Sequence, residues 1–347
     1  MLSIKNFFLD LSNFIKLKSL EKNFETGFFC ENYHIFNYLN PYILNKIKKK
    51  NVLLISFEKI NGFFCNKVTI FVFKTNFFRE LVFLTLNLKY LYSSTPDLEN
   101  SIFKKTKLSK CKYIYLQHSP VSLNLIYRQN AFDAFDAIQI ISNYQLLEFN
   151  EIKKIRNLST KIFKSKYLFI DNIKKKLDTN SIKEIDVLIA PSWNTSFYEL
   201  KCHENLHNLL TNKNISYKLR PHPMSFKKKE ISIKELETLG IKIDQNKNID
   251  FNNFDFLISD WSGIFIEYSL IHMKKSYLIN TPKKDKDLNY KKFLNVPVEI
   301  SMRKNFSYTF EINSLDILVE KIFNLKKNNQ VNIQDEKLIK LVNKIFY

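Results

Sequence analysis

Short apolar runs rich in β-branched and aromatic residues recur along the chain, each stopped by polar residues or proline. Runs of this kind, apolar at consecutive positions, suit strands buried on both faces, as in parallel sheets covered by helices. Residues 52–57, 68–73, 113–117, 137–141 and 167–170 make a first series, with helical spacing over 143–155. After a polar, lysine-rich stretch at 171–183, equally a linker or a surface loop, the rhythm restarts. Strands are predicted at 185–190, 216–219, 254–258 and 277–279, and helices at 197–210, 231–239, 262–272, 315–323 and 336–345. Gly240 sits where a helix C-cap belongs. Alternation of this type predicts an α/β chain of two domains facing each other across a cleft. The expected partition is an amphipathic N-terminal segment at 1–40, α/β domains at 41–180 and 181–330, and a C-terminal helix at 331–347.

Composition narrows the function classes. Four glycines, with neither GxGxxG nor GxxxxGK[ST], remove the usual dinucleotide and P-loop signatures. Phe 32 and Tyr 17 exclude a disordered polyelectrolyte. The formal charge of +20 favours an anionic partner, either a phosphate-rich substrate or an anionic membrane face. It is equally the general surface charge of a lysine-rich composition. No arginine-rich tract, zinc spacing or basic–aromatic repeat points to a specific nucleic-acid partner. Cys30, Cys65, Cys111 and Cys202 lie too far apart for a metal pair or a dense disulfide framework. Residues 68–92, the best candidate for a membrane span, are interrupted by Lys74, Arg79, Glu80 and Lys89. The start of the chain lacks the pattern of a secretory leader and has the spacing of an amphipathic helix. A cytoplasmic protein, peripheral at the inner membrane face, is the expectation.

Three segments carry candidate chemistry, and each also has a purely structural explanation. His118 ends a predicted strand, the side of an open α/β sheet where ligands gather, and suits a general base near neutral pH. A loop histidine before the strand-ending Pro120 explains it as well. His222 is held between Pro221 and Pro223, which fix the local backbone, with Arg220 beside it as a planar cation for phosphate. A rigid turn would look the same. Ser259, Asp260, Ser262 and Gly263 lie between a buried strand and a helix, where open amides bind anions. Asp260 fits direct phosphate contact poorly and would position a hydroxyl or cap the helix. Glu267 follows Gly263 by one helical turn and could receive ribose hydroxyls or pair with a lysine. His203-Glu204-Asn205-Leu206-His207 matches HExxH, yet its apolar neighbours already give that helix a packing role. His34 and His272 join no metal spacing, and Asp133 and Asp136 read as loop or cap carboxylates. No metal and no cofactor are expected.

As an ordered set, HSPVS at 118–122, APSW at 190–193, RPHP at 220–223 and SDWSG at 259–263 resemble the CDP-glycerol glycerophosphotransferase family of surface-polymer enzymes. The segment EYSLIHMKKSYLI from Glu267 continues the likeness, which spans roughly 113–290. The resemblance implies two Rossmann-like domains in the glycosyltransferase B arrangement, an acceptor-side domain followed by a nucleotide-donor domain. It implies transfer of a glycerol-phosphate or related polyol-phosphate unit from a CDP-linked donor to a hydroxyl of a polymer or lipid-linked acceptor. His118 and His222 would be catalytic, and Arg220, Ser259, Asp260, Ser262 and Gly263 would hold donor phosphate. The sequence departs from the family at Ser119–Pro120, where glycine commonly follows the histidine. Two alternatives are a nucleotide-sugar glycosyltransferase on the same architecture and a non-catalytic anion-binding assembly protein.

Overall fold

The computed structural model describes residues 2–178, 182–193, 195–246, 248–283, 293–331 and 334–346. The chain divides into two compact units: Met1–His118 with Tyr127–Asn172, and Ser119–Ile126 with Ile173–Tyr347. Each is built on one parallel sheet. The expected α/β class with two parallel-sheet domains is therefore the observed one.

The first unit runs α1 (Leu2–Leu20), β1 (Thr26–Cys30), α2 (Tyr33–Lys46), β2 (Val52–Ser56), β3 (Val68–Val72), α3 (Asn76–Thr85) and β4 (Tyr90–Ser93). It continues with β5 (Lys112–Tyr115), β6 (Ala137–Ile140), α4 (Asn143–Arg156), β7 (Lys161–Lys164) and α5 (Leu168–Lys174). Its strand order is β3-β2-β1-β4-β5-β6-β7, with every pair parallel. The chain starts at the middle of the sheet and winds outward both ways, so the order reverses between β1 and β4. All residues of β1 and β2 are buried. A Cβ on Gly27 would lie 2.5 Å from Leu88 Cδ1, so glycine lets the β1 backbone pack beneath that side chain. Two of its helices, α2 and α4, begin on side-chain caps: Asn32 accepts the Ile35 amide and Ser142 the Gln145 amide.

The second unit runs β8 (Ile185–Ile189), α6 (Thr195–Glu199), α7 (Cys202–Asn212), β9 (Tyr217–Leu219), α8 (Pro223–Lys227), α9 (Ile233–Thr238) and β10 (Phe254–Ser259). Then follow α10 (Ile264–His272), β11 (Ser276–Ile279), α11 (Val298–Phe306), β12 (Ser307–Phe310), α12 (Leu315–Lys327) and α13 (Glu336–Phe346). The strand order is β12-β11-β10-β8-β9, again all parallel, and the winding reverses between β8 and β10. Every residue of α10 is buried, Glu267 included, which explains a segment apolar all round.

Several expectations need correction. Residues 167–170 form no strand; most of them open α5, and the edge strand is the preceding Lys161–Lys164, whose terminal lysines guard it against further pairing. The predicted helix 197–210 is two helices, broken at Lys201 with φ 51. Residues 68–92 form β3, α3 and β4, and among the described residues no helix is long and apolar enough to cross a membrane. The partition also differs from the one expected. Residues 1–40 supply α1, β1 and much of α2 to the first unit, and 119–126 pack with the second. Of the stretch 171–183, residues 171–174 belong to α5, and 179–181 lie outside the described residues.

Candidate functional site

In a parallel sheet all strands end on the same side, and ligands collect where the winding reverses. In the second unit that point lies between the segment after β8 and the segment after β10, which hold APSW and SDWSG. The two are tied together by Asp260. Its carboxylate accepts the Ser192 amide at 2.7 Å, the Ser192 hydroxyl at 2.9 Å and the Thr281 hydroxyl at 3.5 Å. Beside it the Ser259 hydroxyl donates to the Ala190 carbonyl at 2.6 Å. Both side chains are fully buried. They therefore organise the loops from inside, while Ser262 and Gly263 stay half-buried at the start of α10.

Arg303 of α11 completes the staple. Its guanidinium donates to the Asp260 carbonyl at 2.7 Å and to the Ile279 carbonyl at 2.9 Å, and lies 4.1 Å from the centre of the Trp261 ring. Trp261 Nε1 donates to the Thr281 carbonyl at 2.7 Å. Burial pushes the Asp260 carboxyl up against the pull of Ser192 and Arg303, and pushes Arg303 down to about 10. Nothing in the linear sequence marks Arg303, because its partners belong to loops far away in the chain.

Gly263 is explained by the chain itself. A Cβ there would lie 2.5 Å from Val121 Cγ1 and 2.7 Å from Ser119 Oγ. The segment after His118, which belongs to the second unit, thus packs on the SDWSG turn, and glycine is what admits it. The same segment is anchored by Glu299, whose two carboxylate oxygens each lie 3.2 Å from the Ser122 nitrogen and share its N–H. Burial pushes the Glu299 carboxyl up to about 7, the Ser122 amide pulling the other way. A folded-state value above the ordinary one favours the protonated form. Its contribution to stability is full below about 4.5 and is lost as pH rises through about 7. Glu299→Gln is therefore expected to stabilise the protein at pH 8 by on the order of 2 kcal/mol, and by much less at pH 5. Urea titrations at both values check this; equal differences would mean that the carboxyl does not titrate in that window.

His222 caps α8, its Nδ1 accepting the Met224 amide at 3.1 Å. The neutral ring then carries its proton on Nε2, a donor suited to a phosphate oxygen. The Trp193 ring centre is 6.5 Å away, with Lys228 Nζ 4.1 Å above that indole. Arg220, by contrast, is held by Asp244 at 2.6 Å, which offsets its charge locally. Glu267, expected at a ribose, is 5% exposed within α10.

His118, in the first unit, follows β5. Gln117 before it is fully buried: its amide N–H reaches Gln139 Oε1 at 3.0 Å, and its side chain reaches the Gln139 carbonyl at 2.8 Å. The imidazole is half-buried among aromatic rings. Tyr115 Oη lies 2.9 Å from Nδ1, Tyr127 Oη 3.3 Å from Nε2, and the Tyr38 ring centre 6.0 Å away. The residue is only half-buried, yet its neighbours are dense enough that desolvation, with His34 adding repulsion, pushes its pKa down to about 4. At neutral pH it is unprotonated and able to take a proton.

The HExxH match does not assemble a metal site. His203 is buried against Tyr198, and His207 Nδ1 pairs with the Tyr217 hydroxyl. Among the described residues no group of three His, Cys, Asp or Glu side chains could hold an ion. Asp133 pairs with Arg156 at 3.0 Å, and Asp136 accepts the Tyr113 amide at 2.9 Å.

No family model matches the chain, and no curated protein matches it. Among solved structures it is similar to the wall teichoic acid polymerase TagF, with TM-score 0.57 and 15% identity over 98% of this chain and 92% of that one. It is also similar to a UDP-N-acetylglucosamine 2-epimerase from Rickettsia bellii, with TM-score 0.50 and 13% identity over 89% of this chain and 95% of that one. These likenesses are of fold: two parallel α/β units of the glycosyltransferase B type.

Proposed function

We propose that the chain is a transferase that moves a glycerol-phosphate or related polyol-phosphate unit from a CDP-linked donor to a hydroxyl of a surface-polymer or lipid-linked acceptor, releasing CMP. One observation carries the reading. His118, His222 and Ser262–Gly263 all follow the carboxyl ends of parallel strands, in a fold shared with a teichoic acid polymerase solved with CDPG. In the proposed reaction the acceptor hydroxyl gives its proton to His118 as its oxygen attacks the polyol-bearing phosphorus. The bond from that phosphorus to the CMP oxygen breaks. His222 Nε2–H and the amides opening α10 offset the charge that develops on the phosphate oxygens. Ser262 adds a hydroxyl contact to the donor, whereas Ser259, Asp260 and Arg220 support the loops that hold it.

Donor specificity is tested by a screen of CDP-glycerol, CDP-ribitol and nucleotide sugars. Turnover of a CDP-polyol is expected, with His222→Ala and Ser262→Ala each weakening donor binding. Robust sugar transfer with no CDP-polyol turnover would establish the nucleotide-sugar reading, which the epimerase likeness favours. Donor binding without any turnover would establish the non-catalytic one.

A peripheral membrane position belongs to the same proposal. Helix α1 docks by Asp10, which is fully buried and accepts the Lys74 and Thr75 amides. Ile4, Phe8 and Ile15 stay exposed on α1, and Phe77, stacked on Phe7, is 62% exposed. Such side chains suit the lipid interface, and the +20 charge suits anionic headgroups. Flotation with anionic vesicles at physiological salt is expected to recover the protein; equal recovery with neutral vesicles, or none with either, refutes the electrostatic argument.

A further inference from the structure

We propose that Tyr115 and Tyr127 set the state of His118: the Tyr115 oxygen accepts a hydrogen bond from Nδ1–H and so keeps the proton there and the lone pair on Nε2, while the Tyr127 hydroxyl donates to that lone pair until an acceptor hydroxyl displaces it. This rests on the transfer reading above. The assignment of sides follows from the geometry. Tyr115 is 0% exposed and 2.9 Å from Nδ1, so that nitrogen faces the interior. Tyr127 is 8% exposed and lies at the longer distance of 3.3 Å from Nε2, so it is the weaker and more displaceable partner. A neutral imidazole carries one proton, and only the nitrogen without it can accept one from a substrate. Burial, with Tyr127 beside it, holds the Tyr115 phenol protonated well beyond its ordinary range, so Tyr115 acts as a hydrogen-bond partner and not as an anion. The backbone of Ser94 also reaches the imidazole and favours a protonated ring nitrogen. Tyr115 is thus a positioning residue, and Tyr127 holds the place of the substrate hydroxyl.

The test reads the proton directly. With ¹⁵N-histidine labelling, long-range correlation spectra report which ring nitrogen is protonated, and His118→Ala assigns the signal. The Nδ1–H tautomer is expected in the native protein, a mixture in Tyr115→Phe, and Nδ1–H again in Tyr127→Phe, each checked by thermal melting. A native His118 protonated on Nε2, or an unchanged tautomer in folded Tyr115→Phe, overturns the assignment. Kinetics test the second half, with CDP-glycerol as donor and glycerol as the hydroxyl probe. Tyr127→Phe is expected to lower the glycerol KM about threefold, and Tyr115→Phe to lower kcat about tenfold with little change in KM. An unchanged KM in Tyr127→Phe overturns the place-holding role. If no CDP-polyol is turned over, or His118→Ala transfers normally, the transfer reading fails while the spectra still decide the tautomer.

Discussion

His118→Ala is expected to lower single-turnover transfer by about 10²–10⁴-fold while leaving donor affinity near that of the native protein. The two observables separate because the proposed partner of His118 is the acceptor hydroxyl, whereas the proposed donor contacts belong to the second unit. The magnitude is that of losing a general base whose position is already fixed. Tyr115, Tyr127 and the buried Gln117–Gln139 pair hold it. The pH profile adds an independent check. Only the unprotonated ring can accept a proton, and desolvation pushes its pKa down to about 4. Transfer should therefore persist through pH 6 and fall as pH drops through about 4, where an exposed histidine would lose activity near 6.5. Wild-type rates in folded His118→Ala would rule it out as the base; an acid limb near 6.5 that His118→Ala abolishes would instead show an ordinary, solvated imidazole.

Asp260→Ala is expected to destabilise the protein by roughly 1–3 kcal/mol, the cost typical of leaving buried polar groups without their hydrogen-bond partner. The carboxylate satisfies both the amide and the hydroxyl of Ser192, and its loss leaves those groups buried beside the Arg303 guanidinium. Because this carboxylate joins the segments after β8 and β10, donor binding should weaken along with stability. Asp260→Asn keeps an acceptor oxygen and should fall between the two. Denaturant unfolding and donor titration of the same preparations provide the measurement. A variant as stable as the native protein, binding donor equally well, would show that Asp260 is not the tie between these loops.

Much of the fold was legible because parallel strands buried on both faces need consecutive apolar residues. The runs at 52–57, 185–190 and 254–258 each coincide, to within a residue at the end, with a strand fully or mostly buried in the structure. Strand β1 was missed although all of it is buried: Thr26-Gly27 interrupts its apolar run, and the packing that requires Gly27 comes from Leu88 and Leu91. Edge strand β7 was missed for the opposite reason, since only two of its residues are apolar and both are partly exposed. The short segment 167–170 fits either periodicity, and position in the chain after β7 decided for helix.

The candidate residues divide in the same way. Sequence alone determined that His118, His222 and the SDWSG turn follow strands, because strand runs and the residues that stop them are local features. It also fixed His222 between two prolines, which limit the backbone wherever they occur. Tertiary structure decided what each side chain is free to do. It buried Ser259 and Asp260, tied Arg220 to Asp244, filled the space beside Gly263 with Val121 and Ser119, and placed two tyrosine hydroxyls on His118. The physical reason is that a side chain's chemistry depends on its desolvation and its hydrogen-bond partners, and here those partners are supplied as much by distant parts of the chain, as Arg303 is to the SDWSG turn, as by neighbours.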